Sequence, residues 1–338
     1  MLGKLFFAAL PLLKTNNVTH IHQIYKVNFS LLTMVKNQKH AIIFALCAVF
    51  LWSTVATAFK LALQQLSPIQ LVFYASLTSW LFLACYLMVN GEYKLVLNAF
   101  YRKPLLYLKL GLLNPFLYYL ILFKAYDLLP AQQAQSLNYT WAIALSLLAV
   151  PMLGQRLRKS DITALTLAYF GVLIISTKGE LTALNFESPL GVGLALLSTL
   201  LWALYWIFST KNTDKPVVGL FICFTIGIPF IAMLITWQNA WVAPTIKALV
   251  AATYVGLFEM GITFVLWLMA MKKAQNTASV SNLIFISPFL SLIFIYTLLG
   301  EEIHPATVVG LGFIIFGLAA QKLTASNVRK LKHKMIRS

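Results

Sequence analysis

From His40 onward the chain alternates long apolar runs with short polar breaks. The runs are His40 to Leu63, Pro68 to Val89, Leu105 to Tyr126, Ala131 to Leu153 and Ile162 to Thr177. After a polar break from Lys178-Gly179-Glu180 to Glu187-Ser188-Pro189 come Leu190 to Ser209, Val217 to Trp237, Ile246 to Met271, Ala274 to Leu299 and Ala306 to Leu323. A helix needs roughly 20 apolar residues to cross a bilayer's hydrocarbon core. In lipid the backbone must satisfy its own polar groups, so runs of this length are helical. The pattern predicts an all-α integral membrane protein of ten transmembrane helices, with short loops and no room for a large soluble domain.

Composition supports this reading. Hydrophobic residues make up 60% of the 338 and charged residues 10%, against about 25% charged in a soluble domain. Too few polar groups remain to cover a water-facing surface. The formal net charge of +17 does not indicate nucleic acid, because the basic residues sit at helix ends, where topology requires them. Cys47, Cys85 and Cys223 lie singly in apolar runs, which fits structural thiols better than a metal or redox site. Residues 1–38 form a tail with two open readings. Leu5 to Leu10 follow Lys4 as a short apolar segment without a clear cleavage site. Alternatively, translation starts at Met34, whose basic flank favours this reading.

Charge orients the spans. One set of alternate loops carries Lys94, Arg102, Lys103, Arg156, Arg158, Lys159, Lys211, Lys215, Lys272 and Lys273, and both basic termini fall on that side. The opposite loops carry Asp127, Glu180, Glu187, Glu301 and Glu302, with Lys60, Lys124, Lys178 and Lys247 nearby. Lys/Arg excess marks the cytoplasmic face. Both termini are therefore expected in the cytoplasm of a plasma membrane, taken to be a bacterial inner membrane, which requires an even number of spans.

The halves repeat. Gly111-Leu112-Leu113-Asn114 matches Gly256-Leu257-Phe258-Glu259 at an offset of 256 − 111 = 145, and Ala125 matches Ala270 as Ser136 matches Ser281. Leu51-Trp52-Ser53 matches Leu201-Trp202-Ala203, and Leu153-Gly154-Gln155 matches Leu299-Gly300-Glu301. With five spans per half, the second half enters the membrane in the opposite sense. Inverted repeats of this kind give alternating access around a midplane site. The expected organisation is a tail (1–38), a first repeat (39–178), an external connector (179–188), a second repeat (189–323) and a basic cytoplasmic tail (324–338).

At this point the chain resembles the drug/metabolite transporter superfamily, EamA type. The resemblance rests on Trp52 and Trp202 in the first helix of each half, and on Leu299-Gly300-Glu301-Glu302 followed by the Gly-rich stretch Gly310-Leu311-Gly312 to Gly317. The first half departs from the pattern, with Gln155 in place of the acid. The resemblance implies ten helices in two five-helix repeats, and amino acids, related amines or other small metabolites as substrates.

Glu259 is the one acid deep inside a span. At a helix centre the translocon scale gives about 2.5–3.5 kcal/mol for an acid, so it must be paired, hydrated or neutralised by a proton. Intramembrane ionisable groups are functional candidates for that reason; packing as a protonated acid is the plainer alternative. Asn114 holds the equivalent position in the third span, beside Pro115. Gln135, Asn138, Tyr139 and Trp141 make the fourth span unusually polar and aromatic, and Ser281 and Asn282 match that region in the ninth. Trp52 and Trp202 complete the expected set of substrate-binding or coupling residues. Lys60 and Lys124 read as snorkelling to the interface.

The expected function is a secondary transporter for a small organic metabolite, with a proton or an exchange substrate as coupling partner. No P-loop, nucleophile elbow or His-Glu-x-x-His pattern occurs, so neither an ATP-driven pump, an enzyme, a cofactor nor a metal is indicated. Two other readings stay open. One is a membrane enzyme acting on lipid through Asp127, Glu301, Glu302 and His304; the other is a non-transporting partner or receptor subunit. The sequence leaves oligomeric state undetermined.

Overall fold

A computed structural model describes residues 36–154, 159–181, 188–210, 212–275, 280 and 282–336, with backbone alone for 159–161 and 321–336. The tail to residue 35, Gln155, Arg156, Arg158, Glu187, Lys211 and Ser281 lie outside the described residues. Among the described residues every regular element is helical. Seven helices are long and apolar enough to cross a membrane: α1 (Gln38–Leu63), α2 (Pro68–Val89), α3 (Pro104–Leu128), α4 (Ala131–Leu153), α6 (Pro189–Ser209), α7 (Pro216–Trp237) and α8 (Ile246–Lys273). Three apolar helices are shorter: α5, with its apolar part over Ile162–Ser176, α9 (Leu283–Leu299), and α10, apolar over Pro305–Ala320. The full helices are Lys159–Ser176 for α5 and Pro305–Ile336 for α10. In order, these elements take up the apolar runs of the sequence. Residues 280 and 282 are helical ahead of α9, and Ala274, the expected start of this span, is the extended C-cap of the preceding one.

Helix ends follow local chemistry. Ser67 and Gln70 form a capping box at the start of α2, followed by Pro68 at the first helical position. Ser188 caps α6 and Thr245 caps α8 through their hydroxyls. These side chains satisfy N–H groups that the first turn leaves free. Gly154 and Gly300, the paired glycines of the repeat, end α4 and α9 at φ of 65° and 68°. Only residues that tolerate the left-handed region close a helix this way at little cost.

The packing is built across the halves. α1 packs on α8 and α9, as α6 packs on α3 and α4. α2 packs on α8, as α7 packs on α3, and the pairs α2–α7 and α5–α10 close the arrangement. Exchanging each helix for its counterpart five places along leaves this pattern unchanged, the signature of a two-fold relation. Hydrogen bonds fix the sense of that relation. At one face the Asn37 N–H donates to the Lys273 carbonyl (2.9 Å), Arg102 meets Asp214 (2.5 Å), and Lys215 meets Glu92 (2.8 Å). At the other face the Lys60 ammonium donates to the carbonyls of Tyr126 (2.8 Å) and Leu129 (2.9 Å), and the Ala131 N–H donates to Glu301 (2.9 Å). Gly191, at the start of α6, lies against Leu128 and Leu129 at that second face. So α1 starts from the Asn37 face and α6 from the Glu301 face, and the two repeats are inverted.

Candidate functional site

Two spans break where the sequence repeat places Asn114 and Glu259. In α3 the backbone at Asn114 leaves helical geometry (φ −141°, ψ 117°), and the Asn114–Pro115 peptide is cis. In α8 the first segment ends at Phe258, Gly261 is non-helical (φ −118°, ψ −91°), and the second segment starts at Ile262. Each break is gripped by the opposite half. A Cβ at Gly111 would come within 2.8 Å of Ile226 and 2.9 Å of the Cys223 carbonyl on α7. A Cβ at Gly256 would come within 2.3 Å of the Ala75 carbonyl on α2. The glycines thus let backbones approach closely, the usual means of tight helix contact in lipid. Broken helices at membrane depth are tolerated where protein buries them or where they line a cavity.

A cavity of about 390 Å³ lies beside these breaks, lined by residues of both halves. Glu259 enters it from α8. Trp52, Val55 and Phe59 enter from α1, Tyr118, Leu122 and Tyr126 from α3, and Gln135, Asn138, Tyr139, Trp141 and Leu145 from α4. Trp202 and Trp206 come from α6, Phe264 and Trp267 from α8, Phe285 from α9 and Leu318 from α10. Glu259 is the only acid or base among these side chains. The Tyr119 hydroxyl donates to its Oε1 (3.2 Å).

Each amide of the cavity wall is engaged through one group. Asn138 donates through Nδ2 to the Ser198 hydroxyl (3.1 Å), and Gln135 accepts through Oε1 from the Ser291 hydroxyl (2.6 Å). Each bond joins the halves. The aromatic residues pack into a continuous wall. Trp202 stacks on Tyr118 at 4.5 Å between centroids, and both Trp52 and Trp202 pack on Phe264, at 5.7 Å and 6.2 Å. Trp141 stacks over Trp206 at 6.4 Å.

The structure brings together Glu259, Asn138, Tyr139, Trp141, Gln135, Trp52 and Trp202. It does not place Asn114 or Asn282 among the cavity-lining residues. Asn114 is buried at the α3 break with its Oδ1 lacking a hydrogen-bond partner, and Asn282 is exposed. The fourth span is also not one helix. It breaks at Tyr139–Thr140, with Gln135 and Asn138 on one segment and Ala142 on the other. All three still line the cavity. Sequence reasoning passed over Tyr118, Tyr126, Phe59, Phe264 and Trp267, because an aromatic residue in an apolar run reads equally as lipid-facing. Tyr118 and Phe264 carry one sequence signal, their places four and five residues beyond the repeat-related Asn114 and Glu259.

Among the residues of the lipid-enzyme reading, the side chains of Asp127, Glu301 and His304 make structural contacts, and Glu302 offers its backbone carbonyl. Asp127 pairs with Lys124 (2.6 Å), and the Glu301 carboxylate accepts from the N–H groups of Ala131 and Gln132 at the start of α4. The Glu302 carbonyl accepts from the Gln132 side chain (2.8 Å). His304 accepts through Nδ1 from the Ala306 N–H (3.3 Å). Lys60 points its ammonium at the last carbonyls of α3, a cap rather than a cavity cation.

Comparison with known proteins then gives the following. The family model described as "EamA-like transporter family" matches residues 39–177 and again 189–320. A protein of Acidianus ambivalens named as an uncharacterized transporter is 25% identical over 72% of this chain and 93% of its own length. One from Archaeoglobus fulgidus with a similar name is 25% identical over 81% of this chain and 94% of its own. A third, from Clostridium kluyveri, is 24% identical over 49% of this chain, and the chain spans 55% of that relative's length. A solved crystal structure superposes with a TM-score of 0.59 at 20% identity, covering 86% of this chain and 99% of that one, a likeness of fold.

Proposed function

Because the chain belongs to the EamA-like transporter family, we propose that it carries a small organic metabolite across a membrane by alternating access through the cavity between its inverted halves. The observation behind this reading is a single intramembrane carboxyl, Glu259, set at a helix break in a cavity that both halves line. About 390 Å³ lies at the small end of the roughly 300–1,000 Å³ typical of ligand sites. The described conformation faces inward on this reading. Glu301, Gln132 and Lys60 tie helix ends together at one face, while the lining residues reach Trp206 and Trp267, toward the helix ends of the other. The Lys/Arg excess makes that other face cytoplasmic, with all ten apolar helices crossing a plasma membrane and both termini inside.

Glu259 has the central role. As a carboxylate it stabilises a positive group in the cavity, and as a carboxylic acid it carries a proton instead. Either neutralises the buried charge, and a carrier that must neutralise it before changing face couples the two movements. The test is a comparison of metabolite levels inside and outside cells that make the chain, cells that lack it, and cells that make Glu259→Gln at equal membrane abundance. The proposal expects one solute or a small set to redistribute only with the unaltered chain. If no solute changes, or if Glu259→Gln acts like the unaltered chain, the proposal fails.

A further inference from the structure

We infer that the cavity selects a small organic cation carrying an apolar or aromatic body, and discriminates against amino-acid zwitterions and carboxylic acids. This rests on the transport reading only for what happens after binding. Glu259 is the only ionisable acid or base lining the cavity besides tyrosine hydroxyls and supplies negative charge, and no Lys, Arg or His lines it among the described residues. Lys60, next in sequence to the lining residue Phe59, spends its ammonium on the Tyr126 and Leu129 carbonyls. A substrate carboxylate would therefore enter a low-dielectric cavity with no counter-charge and beside a like charge, which costs several kcal/mol.

Neutral donors in the wall, the Trp indoles and Tyr hydroxyls among them, bring no net charge to replace the missing cation. One Asn138 amide N–H donates to Ser198. At the α4 break the Tyr139 N–H is bonded to the Gln135 carbonyl (3.2 Å) and the Thr140 N–H to that of Leu137 (3.1 Å), so neither is offered to an anion.

The rest of the wall favours a cation. Aromatic faces attract ammonium groups through the ring quadrupole, Trp most strongly. Trp52 packs on Phe264, five residues beyond Glu259 on the same span, and Trp202 from the other half packs on it too, with its own ring stacked on Tyr118 and Tyr205. A carboxyl in a cavity that aromatic rings line suits an ammonium headgroup, and the apolar remainder of the cavity suits its body.

The test uses three probes of similar shape: 2-phenylethylammonium, phenylalanine and 3-phenylpropanoate. Quenching of the cavity tryptophans reports binding to the purified full chain in detergent, with tetramethylammonium as a second cation. The expected result is saturable quenching by both cations. Apparent affinity for 2-phenylethylammonium should be at least tenfold above that for phenylalanine, with no saturable response to 3-phenylpropanoate. Glu259→Gln should abolish the preference while a melting curve shows the protein still folded. The inference is overturned if neither cation binds, if phenylalanine or the acid binds as well as the amine, or if Glu259→Gln keeps the preference. The transport reading fails separately. Cation binding without flux of any solute in proteoliposomes would remove it and leave the site assignment standing. Flux of an anionic or zwitterionic solute would do the reverse.

Discussion

At the residue scale, the contrast between Glu259 and Asn114 carries most of the account. They occupy matching positions of the repeat, yet only the acid lines the cavity, whereas Asn114 is buried beside it at the other break. Glu259→Gln keeps shape and can still accept from Tyr119, but it cannot ionise. The expected outcome is normal membrane abundance with initial uptake rates lowered at least about tenfold, a loss equivalent to about 1.4 kcal/mol. Asn114→Ala should lower uptake less, since no charge is removed. A second residue-scale expectation concerns Gly256, whose added Cβ would sit 2.3 Å from the Ala75 carbonyl. Backbone cannot swing aside as a side chain can, so Gly256→Ala should cost about 1–3 kcal/mol, seen as a lower melting temperature in detergent. Gly312, with nothing within 4 Å of its Cβ position, is the control: Gly312→Ala, inside a helix, should not lower the melting temperature and should raise it slightly. At this scale the sequence was informative about charge and poor about aromatics. Glu259 stands out because an acid in an apolar run needs a physical reason, while Trp267 and Phe264 look like any residue facing lipid. Only the fold turns them inward.

At the element scale, the helix breaks and the capped helix ends together suggest how the conformation is held. The repeat made the α3 break legible in advance, through Pro115 beside Asn114. The α4 break was not legible, because no Pro or Gly marks Tyr139–Thr140 and the polar residues there read as a continuous helical face. The start of α4 is tied to the loop after α9 by Glu301, which accepts from two backbone N–H groups, and by Gln132, which accepts from the His304 N–H (3.0 Å) and the Thr307 hydroxyl (2.9 Å). A carboxylate at a helix start contributes about 0.5–2 kcal/mol through its cap bonds. Glu301→Ala should therefore shift the population toward states open at this face, by roughly fivefold for 1 kcal/mol. A thiol at cavity position 142, introduced by Ala142→Cys, would then react severalfold faster with a reagent added from the Glu301 side. An unchanged rate would mean that the contact stabilises α4 without holding the face closed.

At the scale of the whole molecule, the inverted relation of the halves is the property most clearly written in the sequence. Weak matches such as Leu51-Trp52 with Leu201-Trp202 carry little singly, but the cross-half packing repeats them in space. α5 and α10 show the same symmetry: a Cβ at Gly171 would meet the Gly310 carbonyl, and one at Gly317 would meet that of Ala164 (2.9 Å). The orientation in the membrane rests on Lys/Arg bias alone and is tested directly. In a chain whose native cysteines are replaced, Glu180→Cys should label with an impermeant reagent from outside intact cells. Asn98→Cys, on the short helix Lys94–Arg102, should label only after permeabilisation. The opposite pattern would reverse the orientation.

The claim on which all of this depends is that the cavity between the halves opens in turn to both faces, and it can be tested without knowing the substrate. The measurement is the reactivity of the thiol placed by Ala142→Cys, in the same cysteine-replaced chain, with an impermeant maleimide applied separately to right-side-out and inside-out vesicles. Ala142 lines the cavity, on the second segment of the broken span α4. The account predicts modification from both sides, faster from the cytoplasmic one. Modification from one side only, with Glu301→Ala failing to open the other, would contradict it and leave a one-sided pocket in place of a transport path.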